Sequence, residues 1–229
     1  MITQSGNATI SHKENDPNVT RLITSLRKAE VRNGVLYEIP CPKYQVKIVY
    51  SNDEYDREFG TLGEKVTHRG GCVLPNKTFL IYFDSLKPLQ LYEGEQFDAF
   101  IFHELNHVFY IELVGGHCPV WLHEGIATHH MKTWNFDKQG WKKHFRTIPN
   151  PERFLHYQWI KKRYYENSGA FVTFSTLVYE HLYNTYGKKK ILQLLHQYKK
   201  KKSKKGFEEV FQKIFKTTVK KAATQAIYR

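Results

Sequence analysis

Five consecutive residues, His103-Glu104-Leu105-Asn106-His107, hold side chains able to do chemistry at a spacing that suits it. On a helix, residues i and i+4 lie about 40° apart around the axis and about 6 Å apart along it. Two imidazoles so placed can converge on one divalent cation, with zinc–nitrogen bonds near ~2.0–2.1 Å. Glu104 projects about 100° further round. From there its carboxylate can serve as a general base toward water without competing for the metal. The neighbours sharpen the reading. His103 shares a stripe with Phe100, Tyr110 and Ile111, and Glu104 with Phe97, Ile101, Val108 and Ile111. Burying a bare carboxylate among such residues costs several kcal/mol, so it needs a partner, and a divalent ion supplies one.

Zinc used catalytically takes three protein ligands and leaves a fourth position open to water. The compact arrangement with a third histidine would need Gly at 110 and His at 113, where the chain has Tyr110 and Leu113. A second segment, Pro119-Val120-Trp121-Leu122-His123-Glu124-Gly125-Ile126-Ala127, places Glu124 on a stripe with Val120, Ala127 and Met131. That is again an acid on an apolar face, and Gly125 beside it leaves room for close helix packing. Glu124 is the favoured third ligand. His117, His123, His129 and His130 compete, and His123 is the best placed of them, although it projects about 100° from the Glu124 stripe.

H-E-L-x-H-V followed by P-x-W-L-x-E-G-I-A resembles the gluzincin zinc metallopeptidases, in particular the small peptidase-MA-like group. The resemblance is specific over residues 97–131 and loose elsewhere from Tyr44 onward. It implies one zinc ion bound by His103, His107 and Glu124, with Glu104 as general base in peptide-bond hydrolysis of a peptide or protein substrate. It also implies a twisted sheet beside the motif helix, with an edge strand bordering the cleft. The group often carries Tyr-x-x-Ser before a helix ending in Tyr-Gly. Tyr165-Glu166-Asn167-Ser168 and Tyr186-Gly187 match this, making Tyr165 the candidate to stabilise the oxyanion, with Tyr164 its nearest rival. One departure is Thr128, four residues after Glu124, where the group commonly has an aromatic or acidic residue.

The elements that must position these residues read as α+β, zincin-like by the resemblance, with strands first and helices after. Residues 1–15 are polar and expected to be flexible, and 16–229 to form a single domain, strand-rich over 16–94 and helical over 95–229. Asp16-Pro17 suits the start of a short amphipathic helix through Leu22, Ile23 and Leu26. Strands are expected at Val35–Ile39, Val46–Tyr50, near Val66–Leu74 and at Thr78–Phe83, with a helix over Ser51–Phe59. Helices are expected over Glu95–Ile111 and Pro119–Met131. Residues 132–163 show no clear period and read as irregular. Ser168–Tyr183, Lys188–Tyr198 and Phe207–Phe215 read as further helices, with Thr217 or Thr218 capping a last one.

Composition bounds the rest. The chain has 229 residues, 41% hydrophobic and 15% aromatic, enough for a real core. The formal charge of +13 is not spread evenly. Residues 187–229 hold thirteen Lys and one Arg against two Glu, a net of +12, and the first 186 residues carry +1. Lys199–Lys205 could touch nucleic acid or an anionic surface, but a solvated face of basic helices is favoured. A rival to the enzyme reading is a zincin-fold binding module, weakly active or inactive, that acts through these helices. Three cysteines, Cys41, Cys72 and Cys118, show no pairing pattern and no C-x-x-C, which argues against a disulfide scaffold. The start of the chain lacks a basic stretch followed by an apolar run, and no stretch approaches the roughly 20 apolar residues of a membrane span. A cytoplasmic location is the expectation.

Overall fold

The computed structural model describes residues 1–59, 71–82, 95–115, 119–132, 136–155, 164–199 and 203–229, the side chains of 164–168 and 204 excepted. The architecture is α+β, a small mixed sheet at the N-terminal end and a helical C-terminal half. Two compact units divide the chain, Met1–Glu112 and Leu113–Arg229.

In the first unit five strands, β1 (Ile2–Ser5), β2 (Ala8–Ser11), β3 (Tyr44–Val49), β4 (Gly71–Val73) and β5 (Thr78–Tyr82), form one sheet in the order β1-β2-β3-β5-β4. β2, β3 and β5 are mutually parallel, and β1 and β4 pair antiparallel at the edges. Register sets Ile10, Val46 and Phe79 side by side in a buried row. Strands of a sheet covered by helices are buried over their length, and β5 buries Thr78 to Ile81 without alternation. Helix α1 (Asn18–Tyr37) joins β2 to β3, and α2 (Asn52–Phe59) follows β3 where a helix was expected. Asp16 accepts the Asn18 backbone N–H at 2.9 Å, the capping role its position before Pro17 suggested.

Two expectations fail in this unit. Residues 1–15 are not loose, because β1 and β2 form a hairpin about Gly6 (φ +60°), with Ala8 and Ile10 fully buried. Two buried apolar side chains are too faint a signal to see in a polar stretch. Val35–Ile39 is not a strand. Its first three residues finish α1, whose buried stripe runs Leu22, Leu26, Ala29, Asn33 and Tyr37, and Glu38 ends the helix in the left-handed region. A short apolar run does not distinguish strand from helix by itself. Of the expected Val66–Leu74 strand, β4 holds Gly71–Val73, and 60–70 lie outside the described residues. β5 runs to Tyr82, and Phe83 also lies outside them.

Helix α3 (Glu95–Val114) is three residues longer than expected and nearly continuous in burial. Within the first unit it packs on α1, where Lys28 meets Asp98 at 2.8 Å and Tyr37 stacks on Phe109. It also meets the sheet, through Phe79 against Phe100.

The second unit is built on α6 (Tyr164–Tyr198), which packs against α4 (Val120–Met131). Residues 136–155, expected to be irregular, hold α5 (Lys138–Thr147) and a 3-10 turn (Pro151–Leu155). Asp137 caps α5 by accepting the Gly140 N–H at 2.9 Å. A single side chain of α5, Phe145, is fully buried, in a cluster with Phe154 and Phe174. One anchor per helix gives no readable period. α6 is one assigned span, but Gly187 within it is left-handed (φ +77°), where the sequence suggested a helix end. α7 (Lys204–Phe215), capped by Ser203, folds back along α6, with Tyr198 on Phe207 and Tyr186 on Phe215. Thr218 caps α8 (Val219–Tyr228), as its position suggested. Ile191, Leu195, Phe207, Phe211 and Ile227 are buried, while Lys189, Lys190, Lys205, Lys213 and Lys221 are exposed. No helix among the described residues is long and apolar enough to cross a membrane.

Candidate metal centre

His103, Glu104 and His107 all stand on α3. The two imidazole rings lie with centroids 4.8 Å apart and planes at 85°, the juxtaposition that i, i+4 spacing produces. Glu104 and His107 are buried, and His103 is partly so.

The edge strand β4 lies directly over this face of α3. A Cβ built on Gly71 would fall 2.4 Å from Phe100 Cζ and 3.0 Å from Glu104 Cγ. The backbone of β4 therefore approaches the helix more closely than any side chain would permit. Its neighbour Cys72 is a free thiol pushed up to about 12, first by burial and further by the charge of Glu104, against a lowering hydrogen bond with Tyr55. Cys72 packs as a small side chain against the Val49, Tyr55 and Leu80 cluster, and a thiol kept protonated is a poor nucleophile.

Glu124 lies on α4, whose close approach to α6 is enforced by the next residue. A Cβ on Gly125 would sit 2.5 Å from the Ser175 carbonyl oxygen and 2.8 Å from Tyr179 Cβ. The expectation that Gly125 permits tight helix packing holds, and it fixes the segment that carries Glu124.

His103, His107 and Glu124 each offer one ligand atom, and these atoms all lie within 4.8 Å of one another. A tetrahedral ion with bonds near ~2.0–2.1 Å spaces its ligand atoms by about 3.3 Å. Two neutral nitrogen donors and one carboxylate are a donor set that suits a borderline divalent ion. The group can hold a metal ion.

Of the competing histidines, His129 and His130 sit at the far end of α4 against Tyr179 and Tyr183, and His130 Nε2 lies 2.9 Å from the Tyr179 hydroxyl. Burial holds His129 below its usual range. Among the described residues neither joins the metal-capable group, nor does His123. His117 lies outside the described residues, as do the side chains of Tyr164 and Tyr165, which belong to the first turn of α6. Thr128 is buried on α4 with no hydrogen-bond partner for its hydroxyl among the described residues.

Sequence reasoning passed over Gly71, Asn33, Tyr37 and Asn106. The last three are fully buried and hydrogen-bonded to one another between α1 and α3. A signal for them existed: Asn33 is a polar residue on the apolar stripe of α1, and Asn106 lies inside the motif itself.

No known family model matches the chain, and no curated protein matches it in sequence.

Proposed function

We propose that this chain is a zinc-dependent metallopeptidase of zincin-like fold, with His103, His107 and Glu124 as metal ligands and Glu104 as general base. The observation that carries the reading is the grouping of those three ligand atoms within 4.8 Å, on the helices where the H-E-x-x-H and W-L-x-E-G segments put them. The likeness of both segments to the gluzincin peptidases supports the choice of zinc and of peptide substrates.

When bound, zinc supplies Lewis-acid polarisation of a carbonyl and of water. The other steps belong to side chains of this chain. Glu104 takes a proton from water as that water attacks the scissile carbonyl, and returns it to the leaving amine. Its burial under β4 and beside Phe100 keeps bulk water away, which strengthens each electrostatic contact made there. By the same likeness, Tyr165 is the candidate to donate a hydrogen bond to the oxygen on which negative charge develops. β4 has its second edge unpaired by any strand among the described residues. An extended peptide pairing with that edge would run past Gly71, hence past Glu104.

The test is metal analysis combined with hydrolysis of a peptide library, with and without chelator. Wild-type protein binds about one zinc per chain, and chelation abolishes cleavage. Glu104→Gln keeps its zinc and loses hydrolysis by at least about 100-fold, the scale of a general base. Retained cleavage in that variant would remove Glu104 from the mechanism. Absence of zinc from the wild type would remove the whole reading.

A further inference from the structure

A polar ladder crosses the buried contact between α1 and α3. The Tyr37 hydroxyl donates to Asn106 Oδ1 at 2.7 Å, and Asn106 Nδ2 donates to Asn33 Oδ1 at 2.8 Å. Asn33 Nδ2 then donates twice, to the Ala29 carbonyl at 3.1 Å and the Phe102 carbonyl at 3.3 Å. Both amide hydrogens of Asn33 and both side-chain oxygens of the asparagine pair are engaged, at residues with no more than 1% exposure.

The placement on α3 is what gives the ladder a role. Phe102 and Asn106 immediately precede His103 and His107 in the chain. They form an i, i+4 pair of their own, rotated by about 100° from the histidine pair. One side chain, Asn33, therefore grips α3 at the two residues that adjoin the two imidazole-bearing positions. Stability alone does not call for such a device. Replacing a buried hydrogen-bonded set by apolar side chains of similar shape is often neutral or stabilising. What a satisfied polar set adds is register: a shift of α3 strands several buried polar groups at once.

The tolerance at a metal site makes register matter. Side chains extend to about 5–6 Å from the helix axis, so rolling α3 by about 20° displaces the imidazoles by roughly 2 Å. Metal–ligand distances tolerate only about 0.2 Å. The same roll would carry Glu104 away from the backbone of β4.

We propose that Asn33, Asn106 and Tyr37 are positioning residues for the metal centre: their ladder locks the rotation of α3 so that His103 and His107 present their rings to one ion and Glu104 faces β4. The assignment rests on the metal reading above, and it reaches three residues that neither touch the ion nor belong to the ligand motif's chemistry.

The experiment is a cobalt(II) titration of the full chain, followed by the visible d–d bands, which report coordination geometry. It uses wild type, Tyr37→Phe, Asn106→Leu and the triple variant Asn33→Leu/Asn106→Leu/Tyr37→Phe. The triple variant leaves no member of the ladder without its partner, so it separates folding from positioning. Thermal melts of the metal-free proteins set a temperature at which every variant compared is folded. Asn106→Leu and the triple variant should bind cobalt about 10-fold or more weaker with altered bands, the lower end of what outer-shell partners of metal ligands contribute. Tyr37→Phe, which removes one hydroxyl, should show the same change in smaller measure and serves if the leucine variants do not fold. Affinity and bands equal to wild type in every folded variant would overturn the positioning role while leaving the metal reading intact. Failure of wild-type protein to bind cobalt or zinc would overturn the metal reading, and this proposal with it.

Discussion

Alanine substituted for glycine in a helix ordinarily stabilises, so the chain offers a paired test in which the same change is expected to act with opposite sign. Gly169 lies in α6 with nothing among the described residues within 4 Å of where a Cβ would be placed. Gly169→Ala should raise unfolding free energy by about 0.5–1 kcal/mol, through the lower backbone entropy of the unfolded chain. Gly125→Ala gains the same term and loses more. Its Cβ would sit 2.5 Å from the Ser175 carbonyl oxygen, and ordinary contact begins near 3.4 Å, so α4 and α6 must part by about 0.9 Å. The obstacle is backbone, which cannot rotate aside. Overpacking of this kind costs typically about 1–3 kcal/mol, and separating a helix pair lies in the upper part of that range. The net change is a loss of about 1–2 kcal/mol. Urea unfolding of metal-free protein, with m-values compared, measures both variants. Metal affinity supplies a second readout. Glu124 adjoins the displaced residue, and a shift of about 0.9 Å exceeds the roughly 0.2 Å that metal ligation tolerates. Gly125→Ala protein as stable as Gly169→Ala protein, with unchanged metal affinity, would refute the packing argument.

Glu124→Ala should lower zinc occupancy of purified protein, and unchanged metal content would transfer the third-ligand role to a histidine. Gly71→Ala pushes a methyl into Phe100 and Glu104 and should reduce peptide cleavage more than zinc content, a split read by parallel turnover and metal assays. Gly187→Ala places a Cβ in the left-handed region and should destabilise by about 1–2 kcal/mol although it meets no neighbour among the described residues, read as a lower urea midpoint. Cys41 and Cys72 have thiols pushed up to about 12, chiefly by burial. At pH 8 both should alkylate far more slowly in the folded than in the urea-unfolded chain, by mass spectrometry of the peptides. Because the folded state keeps these protons and the unfolded state releases them near pH 9, their contribution to stability is complete below pH 9. It falls as pH rises from there toward 12.

The helices that carry the candidate ligands were legible because their signals are dense. α3 is buried on most sides and ends within three residues of where the pattern stops, and α4 begins at Val120, just after Pro119, and ends at Met131. Capping chemistry also read true at Asp16 and at Thr218, one of the two threonines expected to cap the last helix, since a polar side chain just before a helix has few other ways to satisfy the first amides. The misses share a cause, which is that tertiary partners settled an ambiguous local pattern. Val35–Tyr37 is helical because Tyr37 reaches Asn106 and Phe109 on another element, contacts no local window contains. The β1–β2 hairpin depends on β3 for its partner, and α5 on two phenylalanines elsewhere in its unit.

At the candidate site the division is of another kind. Residues that would do chemistry advertise themselves through a costly placement: Glu104 is an acid among apolar neighbours, between two histidines at a spacing that suits a metal. Residues that set geometry advertise themselves less, because each looks locally like packing. Gly71 shows its role only once the expected strand that holds it is found against Glu104, whereas Gly125 already reads as room for close helix packing, and Ser175 is what it packs on. Asn33 and Asn106 are the informative middle case. Each is an amide on an otherwise apolar stripe, where an apolar residue would have cost less, and the two stripes turn out to face each other. A polar residue at a core position of one helix, matched by a second inside a ligand motif on another, is a pattern a sequence alone displays. Read as a pair, they place α1 beside α3 and mark the face of α3 turned toward α1, about 100° round the helix from His103 and His107.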